Sequence, residues 1–298
     1  MQQRGTAAVH PRADGPGGRP GRDDARWLTG PVTAPDTHPG PEAPSGRPRA
    51  LVTGPTAGIG RSFAVQLAAR GHDLVLVARD EARLASLAEE LDRRFGTDVE
   101  VLAADLTDRA QLARVEARLA ATERPVDVLV NNAGFGLKGR FGDNDVEAET
   151  AMLEVLVVAV VRLSHAALGA MAARGHGAVL NVSSVAAFLP RGTYSAAKAY
   201  VNRFGSWASA EYRDRGVTVT TLCPGFVRTE FHERMGVGRG SAPAWMWLDA
   251  DDLVAEALDD LDAGRALSVP SRRYRALVRL ARLVPDRALL RLQGLGRR

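Results

Sequence analysis

The chain holds 298 residues, 45% hydrophobic and 25% charged, a composition that supports a sizeable core and excludes collagen, coiled coil and wholesale disorder. Its single cysteine, Cys223, allows no internal disulfide, and no Cys/His cluster has structural-zinc spacing, so a reducing cytoplasm and no metal are expected. The net charge of +4 belongs to the ends: residues 1–49 carry seven Arg against five acids, residues 265–298 carry ten Arg against Asp286, and the segment between them sums to −7, which offers no basic face to a nucleic acid.

Residues 1–49 contain nine of the 16 prolines and eight of the 30 glycines, with hardly any apolar periodicity. That leaves too little burial to offset chain entropy, so an extension over residues 1–48 is expected to be disordered, or to reflect a start codon set too far upstream. It has neither the apolar stretch of a secretory signal nor the acid-poor character of a transit peptide. From Arg49 the texture changes to short β-rich runs alternating with helical patterns, the mark of βαβ units. Strands are predicted at Ala50 to Thr53, Asp73 to Ala78, Val99 to Ala103, Val126 to Asn131, Ala178 to Ser183, Val217 to Cys223 and Leu267 to Val269. Helices are predicted near Ile59 to Arg70, Glu81 to Phe95, Arg109 to Ala121, Val146 to Arg174, Tyr194 to Arg213 and Asp251 to Ala263. The expected fold is α/β: one domain over residues 49–270, a doubly wound, mostly parallel seven-stranded sheet with helices on both faces. No run of about 18 consecutive apolar residues is present, so no bilayer span is expected.

Residues 271–298 read as basic amphipathic helices. Leu277, Leu280 and Leu283 fall on one side, Arg275, Arg279 and Arg282 largely on another, and Ala288 to Leu292 repeats the theme after Pro285. Such a segment packs on its own domain or on a dimer mate, or lies in a membrane interface.

The first strand runs into Thr53-Gly54-Pro55-Thr56-Ala57-Gly58-Ile59-Gly60 and then a helix. Glycines let backbone approach a phosphate, and the helix start offers free N–H groups and a positive dipole end, so Gly54, Thr56, Gly58, Ile59 and Gly60 are candidate pyrophosphate ligands. An ordinary turn is the alternative. After the second strand, where a dinucleotide fold meets the adenosine ribose, the chain has Ala78 and Arg79 instead of an acid. A guanidinium there can pair with a 2′-phosphate, which favours NADP(H) over NAD(H); the plainer reading is a solvated Arg79 and an Asp80 that caps the next helix. Asp105, after the third strand, is placed to meet the adenine edge. Asn131-Asn132-Ala133-Gly134 closes the fourth strand with small residues over which a dinucleotide can lie and amides that can tie strands together. Tyr194 and Lys198, four apart on one helix, share a face. A cation that close is expected to lower the phenol from about 10 toward the range of a general acid/base. Ser184, at the end of the fifth strand, reaches the same space.

The glycine loop, Asn131 to Gly134, the Ser184, Tyr194 and Lys198 set, and Pro224-Gly225-Phe226-Val227-Arg228-Thr229 after the sixth strand together resemble the short-chain dehydrogenase/reductase family over roughly residues 50–270. The resemblance implies a Rossmann-type fold and a single-domain, NADP(H)-dependent oxidoreductase that interconverts a carbonyl and its alcohol. It implies that Ser184 positions the substrate oxygen, that Tyr194 exchanges a proton with it, and that Lys198 holds the nicotinamide ribose and tunes Tyr194. It also implies that Asn132, Ala133, Gly134, Pro224, Gly225, Val227 and Thr229 line the cofactor, with Thr229 and the backbone near Val227 at the carboxamide. One residue departs from the family pattern. Members commonly carry an Asn in the helix before strand five that links the lysine to solvent through a kink and a water; here that position is Leu156, and slower proton exchange is expected. The loop from Ser184 to Tyr194 is also shorter than is usual.

Between Phe231 and Asp249, where the family places a substrate lid, lie Met235, Trp245, Met246 and Trp247. With Phe188, Leu189 and Phe226 they form an expected apolar wall suited to a hydrophobic ketone, aldehyde or alcohol, unless the tryptophans simply pack on the last helix. Glu230, His232 and Glu233 lie near the expected mouth without metal-ligand spacing. The helix bearing Tyr194 has apolar residues left over after one face covers the sheet, and the family pairs this helix across a two-fold axis, which implies a homodimer or homotetramer. The leading reading is a reductase of small apolar carbonyls, cytoplasmic or membrane-peripheral. The competing one is a nucleotide-binding regulatory or scaffold protein in which Leu156 records relaxed demands on turnover.

Overall fold

In the first strand, Ala50 and Val52 pack to one side and Leu51 to the other, all three fully buried. The alternation repeats in Leu74, Val75, Leu76 and Val77 and in Val128, Leu129 and Val130. Strands apolar on both faces need helices on both. The computed structural model, which describes residues 46–230 and 243–291, builds that arrangement. Strands β1 (Arg49–Thr53), β2 (Asp73–Ala78), β3 (Val99–Ala103), β4 (Val128–Asn131), β5 (Gly177–Val182) and β6 (Val217–Leu222) precede the short β7 (Phe226–Val227), β8 (Trp247–Leu248) and β9 (Leu267–Ser268). The main sheet has seven parallel strands in the order β3-β2-β1-β4-β5-β6-β9. Helices α1 (Gly58–Ala69) and α2 (Glu81–Phe95) cover one face; α3 (Arg109–Ala120) covers the other.

Most strand and helix limits fall within one or two residues of those expected. The helix expected over 146–174 is the exception, since it consists of α4 (Val146–Leu153), a π-helical stretch Glu154–Ala159 and α5 (Val160–Arg174). The run Val155-Leu156-Val157-Val158-Ala159 is apolar on every side, so its periodicity could not reveal a widened turn. This whole helix is long and apolar enough to cross a bilayer by length and composition, a point that counting consecutive apolar residues missed. Here its Leu163, Ala167, Leu168 and Met171 are buried against the sheet, on the face it shares with α6 (Gly192–Arg213).

After α6, helix α7 (Ala250–Asp262) joins α1 and α2 on the first face. The parallel pair β7 and β8 was not anticipated. At the C-terminal end, α8 (Arg272–Leu283) and α9 (Asp286–Arg291) follow. The buried edge of α8 is Tyr274 with Val278, packed on Cys223 and Val269, so the periodic leucines face away from the core. The expected N-terminal extension lies outside the described residues as far as residue 45, and so do Met235, His232 and Glu233 of the expected lid.

Candidate active site

From β1 the chain passes to β2 on one side, and it later returns to place β4 on the other. A doubly wound sheet opens a crevice at such a reversal, at the carboxyl ends of its strands. A cleft of about 1920 Å³ lies there; the candidate cofactor and catalytic residues line it, whereas Asn131 and, of the expected apolar wall, Phe188, Trp245, Met246 and Trp247 do not. Gly54 follows β1, Arg79 follows β2, Asp105 follows β3, Asn132 follows β4, Ser184 follows β5 and Pro224 follows β6.

At the glycine loop, Gly54 and Gly58 have φ of +66° and +55°, backbone that side chains rarely adopt. A Cβ on Gly58 would stand 2.9 Å from Thr229, and one on Gly60 would overlap the Gly54 carbonyl and the Asn132 amide. Aspartates cap α2 (Asp80), α3 (Asp108), α4 (Asp145) and α7 (Asp249), whereas α1, preceded by Ala57, has no side-chain cap, as is also true of α6 and α8. The first amides of α1 are therefore left for an anion in the cleft. This cradle fits the diphosphate of a dinucleotide, with Thr56, Ile59 and Thr229 beside it.

Asn131 and Asn132 act inside the protein. Asn131 Nδ2 donates to Ser164 Oγ (3.1 Å) and Asn181 Oδ1 (2.9 Å), tying β4 to β5 and α5. Asn132 Nδ2 donates to the carbonyls of Thr53 (2.9 Å) and Gly54 (3.0 Å), while Thr53 Oγ1 accepts from the amides of Asn132 and Ala133. Asn132 thus braces the glycine loop, and it is the small Ala133 and Gly134 that leave room for a ligand.

Asp80 caps α2, accepting from Arg83 N at 3.0 Å, as the plainer reading had it. Arg79 nevertheless lines the cleft, its side chain 79% exposed, with a guanidinium nitrogen 4.0 Å from Asp105 Oδ2. Asp105 Oδ1 accepts from Thr107 N and Oγ1 at 2.9 and 2.8 Å, so one carboxylate oxygen organises its own turn. A guanidinium so open is free to pair with a 2′-phosphate, and the loop-bound carboxylate beside it fits the adenosine end of the group.

The third cluster joins Ser184, Tyr194 and Lys198. Ser184 caps a short 3₁₀ turn, Val185–Phe188, accepting from Ala186 N at 3.1 Å, and its hydroxyl lies near enough to Tyr194 to lower the phenol. Lys198 Nζ lies 5.7 Å from the Tyr194 ring centre and donates to Val182 O at 2.7 Å. Burial pushes the Tyr194 phenol up to about 12, against the lowering contact from Ser184, and pushes Lys198 down to about 8. The lowering expected from Lys198 is not among the influences on Tyr194 here; burial dominates for both groups and disfavours their charged forms. Ser184 supplies what the sequence assigned to Lys198, a lowering contact on the phenol.

Leu156 is fully buried and packs with Met152 and Ala197, and a Cβ on Gly134 would stand 2.7 Å from its Cδ2. An apolar plug therefore occupies the wall next to Gly134, close to Lys198 Nζ, where a polar relay was expected to be missing. The widened π turn around Leu156 is present all the same, so the backbone kink does not require an Asn.

Tyr274, which sequence reasoning missed, meets the same loop. Its hydroxyl accepts from Phe226 N at 3.0 Å and donates to Met246 O at 2.7 Å. Nothing local marks it: it lies 48 residues from Phe226. The Trp247 ring is tilted against that of Phe226, with ring centres 5.5 Å apart, while Trp245 is exposed.

The short chain dehydrogenase family profile matches residues 48–238. A solved short-chain dehydrogenase from Sphingobium yanoikuyae, in complex with NADPH, is 36% identical with a TM-score of 0.74, over 83% of this chain and 95% of that one. The bulky-bulky ketone specific alcohol dehydrogenase from Comamonas testosteroni is 30% identical with a TM-score of 0.70, over 83% and 94%. The very-long-chain 3-oxoacyl-CoA reductase of Anas platyrhynchos is 33% identical over 61% of this chain, which spans 60% of that relative's length. With the cradle, the cleft and the Ser184, Tyr194 and Lys198 cluster in one seven-stranded sheet, this chain belongs to the short chain dehydrogenase family and is an oxidoreductase that uses a nicotinamide cofactor.

Proposed function

We propose that the protein reduces a small apolar ketone or aldehyde, or oxidises the matching alcohol, with NADP(H) in preference to NAD(H). The observation that carries this reading is the meeting of Ser184, Tyr194 and Lys198 in the cleft that also holds the glycine loop and the uncapped start of α1. The cofactor supplies the hydride when bound; the protein supplies the proton. Ser184 and Tyr194 offer two hydroxyls to one substrate oxygen, and a neutral phenol at neutral pH is the form that donates to a carbonyl undergoing reduction. Lys198, cationic below about pH 8, stabilises the phenolate left behind. Phe135, Leu137, Val155, Leu189 and Phe226 line the cleft and favour an apolar substrate. The names of the Comamonas and Anas relatives, a bulky ketone and a long-chain oxoacyl group, are compatible with that class.

Leu156 keeps the second reading in view, a cofactor-binding regulatory protein with little turnover. Steady-state reduction of a bulky aryl ketone with NADPH, compared with Tyr194→Phe, separates the two. Loss of turnover with NADPH binding retained supports the enzyme; an unchanged cellular phenotype in the variant supports the regulatory protein. For assembly, the face of α6 bearing Tyr200, Phe204 and Trp207, where Tyr200 stacks on Phe204, Trp207 is tilted against it, and Tyr200 and Trp207 are exposed, supports a homodimer or homotetramer.

A further inference from the structure

The C-terminal helices carry a face that the proposed function does not use. On α8, Leu277, Leu280 and Leu283 are 41%, 60% and 82% exposed, and Leu290 of α9 is 49% exposed. Four exposed leucines along two consecutive helices are unusual for a surface that meets only water. Arginines Arg272, Arg279, Arg282 and Arg287 stand around them, all exposed. Several surface arginines elsewhere are matched by carboxylates, Arg61 with Glu90, Arg70 with Asp259 and Asp262, Arg109 with Glu154, Arg162 with Glu116, while others such as Arg93, Arg140 and Arg213 stand singly among the described residues. Arg272, Arg279 and Arg287 make no ion pair among the described residues.

From this we infer that α8 and α9 form a docking face for an anionic lipid surface, with the leucines entering the headgroup boundary and the arginines meeting lipid phosphates. Long apolar side chains flanked by unneutralised arginines, on a helix whose other edge is anchored in the protein, are the pattern of an interfacial helix. A second copy of the chain, whose body between the basic ends sums to −7, is the competing occupant, and the solution mass separates it from a lipid surface. The anchored edge gives the docking a consequence. Tyr274 holds the Phe226 backbone, the Arg282 guanidinium lies 4.9 Å from the Phe188 ring centre, and Arg273 donates to the Trp245 carbonyl. The docking helix therefore packs directly on segments beside the cleft, and a lipid surface under it would bring apolar substrates to the enzyme by a short route.

The full chain is sedimented with phosphatidylcholine vesicles, with and without phosphatidylglycerol, and its solution mass is measured by light scattering. Expected is binding that requires phosphatidylglycerol, weakens with added salt, and drops at least about tenfold in Leu280→Asp/Leu283→Asp or in Arg279→Glu. Both variants change exposed residues outside the cleft, so retained NADPH binding confirms that they are folded and keeps this test separate from the catalytic reading. Absence of binding to anionic vesicles overturns the proposal. So does binding that the leucine variant leaves intact, or a fall in solution mass in that variant without any vesicle binding, which would give the face to a second copy.

Discussion

The ring of Tyr274 stands where a side chain on Gly225 would have to be: a Cβ built on Gly225 overlaps three of its ring carbons. The two residues lie on different elements, one on the loop after β6 and one on α8, and the loop follows its course because position 225 carries no side chain. The Tyr274 hydroxyl then bridges Phe226 N and Met246 O, joining the stems of β7 and β8 beneath the cleft.

Replacing Gly225 with Ala forces the ring aside, and overpacking of this kind costs about 1–3 kcal/mol. Chemical denaturation should show that loss, accompanied by weaker NADPH binding because Pro224 and Val227 line the cleft on either side. Tyr274→Phe keeps the ring and removes the bridge, and a similar loss of about 1–3 kcal/mol is expected from the two backbone groups left unpaired. A loss in Gly225→Ala alone would show that the ring, and not its hydroxyl, holds the loop.

Removing the Arg79 guanidinium should discriminate between cofactors. In Arg79→Ala, titration by energy transfer from tryptophan is expected to show NADPH binding weakened about tenfold, equivalent to about 1.4 kcal/mol, with NADH binding unchanged. Equal losses for both cofactors would place Arg79 outside the 2′-phosphate site.

Burial sets the sign of the pH dependence. Lys198 is pushed down to about 8 from its ordinary 10.5, so between those values the unfolded chain binds more protons than the folded protein. Stability from this group is therefore complete above about pH 10.5 and is lost as the pH falls toward 8. Tyr194, pushed up from 10.0 to about 12, acts in the opposite sense, losing stability as the pH rises across that interval. The unfolding free energy of the wild type relative to Lys198→Met should accordingly rise with pH between about 8 and 10. NADPH affinity should fall over the same range if the ammonium holds the ribose. A flat difference between the two proteins would mean that Lys198 titrates normally.

Leu156→Asn places an amide where an apolar plug now meets Gly134, beside Lys198. Because the π turn already exists, the substitution requires no change of backbone, and about tenfold faster turnover is expected from one restored polar contact. Solvent isotope effects and the pH profile of turnover should shift with it. An unchanged rate and profile would show that proton exchange in this protein does not pass along that wall.

Much of the fold was legible because its signals are local. A strand, a glycine turn and a helix start follow one another within Arg49 to Ala69, and Asp80 and Asp108 cap the helices that succeed them. Arg79 was legible from its position after β2, and Tyr194 with Lys198 from their spacing of one helical turn. Asn131 was legible as a tie between strands. The π turn was hidden by a run apolar on all sides.

Chain order by itself determined which elements form and which residues reach the carboxyl ends of the strands, since hydrophobic alternation, caps and glycine turns act over a few residues. Only the tertiary structure decided the energetics inside the cleft. Whether Tyr194 is pushed up or down depends on how much protein surrounds it, and the order of the sheet sets that. The meeting of Tyr274 with Gly225, and the turning of the α8 leucines away from the core, depend on where a distant helix docks. Contacts between residues far apart in the chain leave no trace in either local sequence.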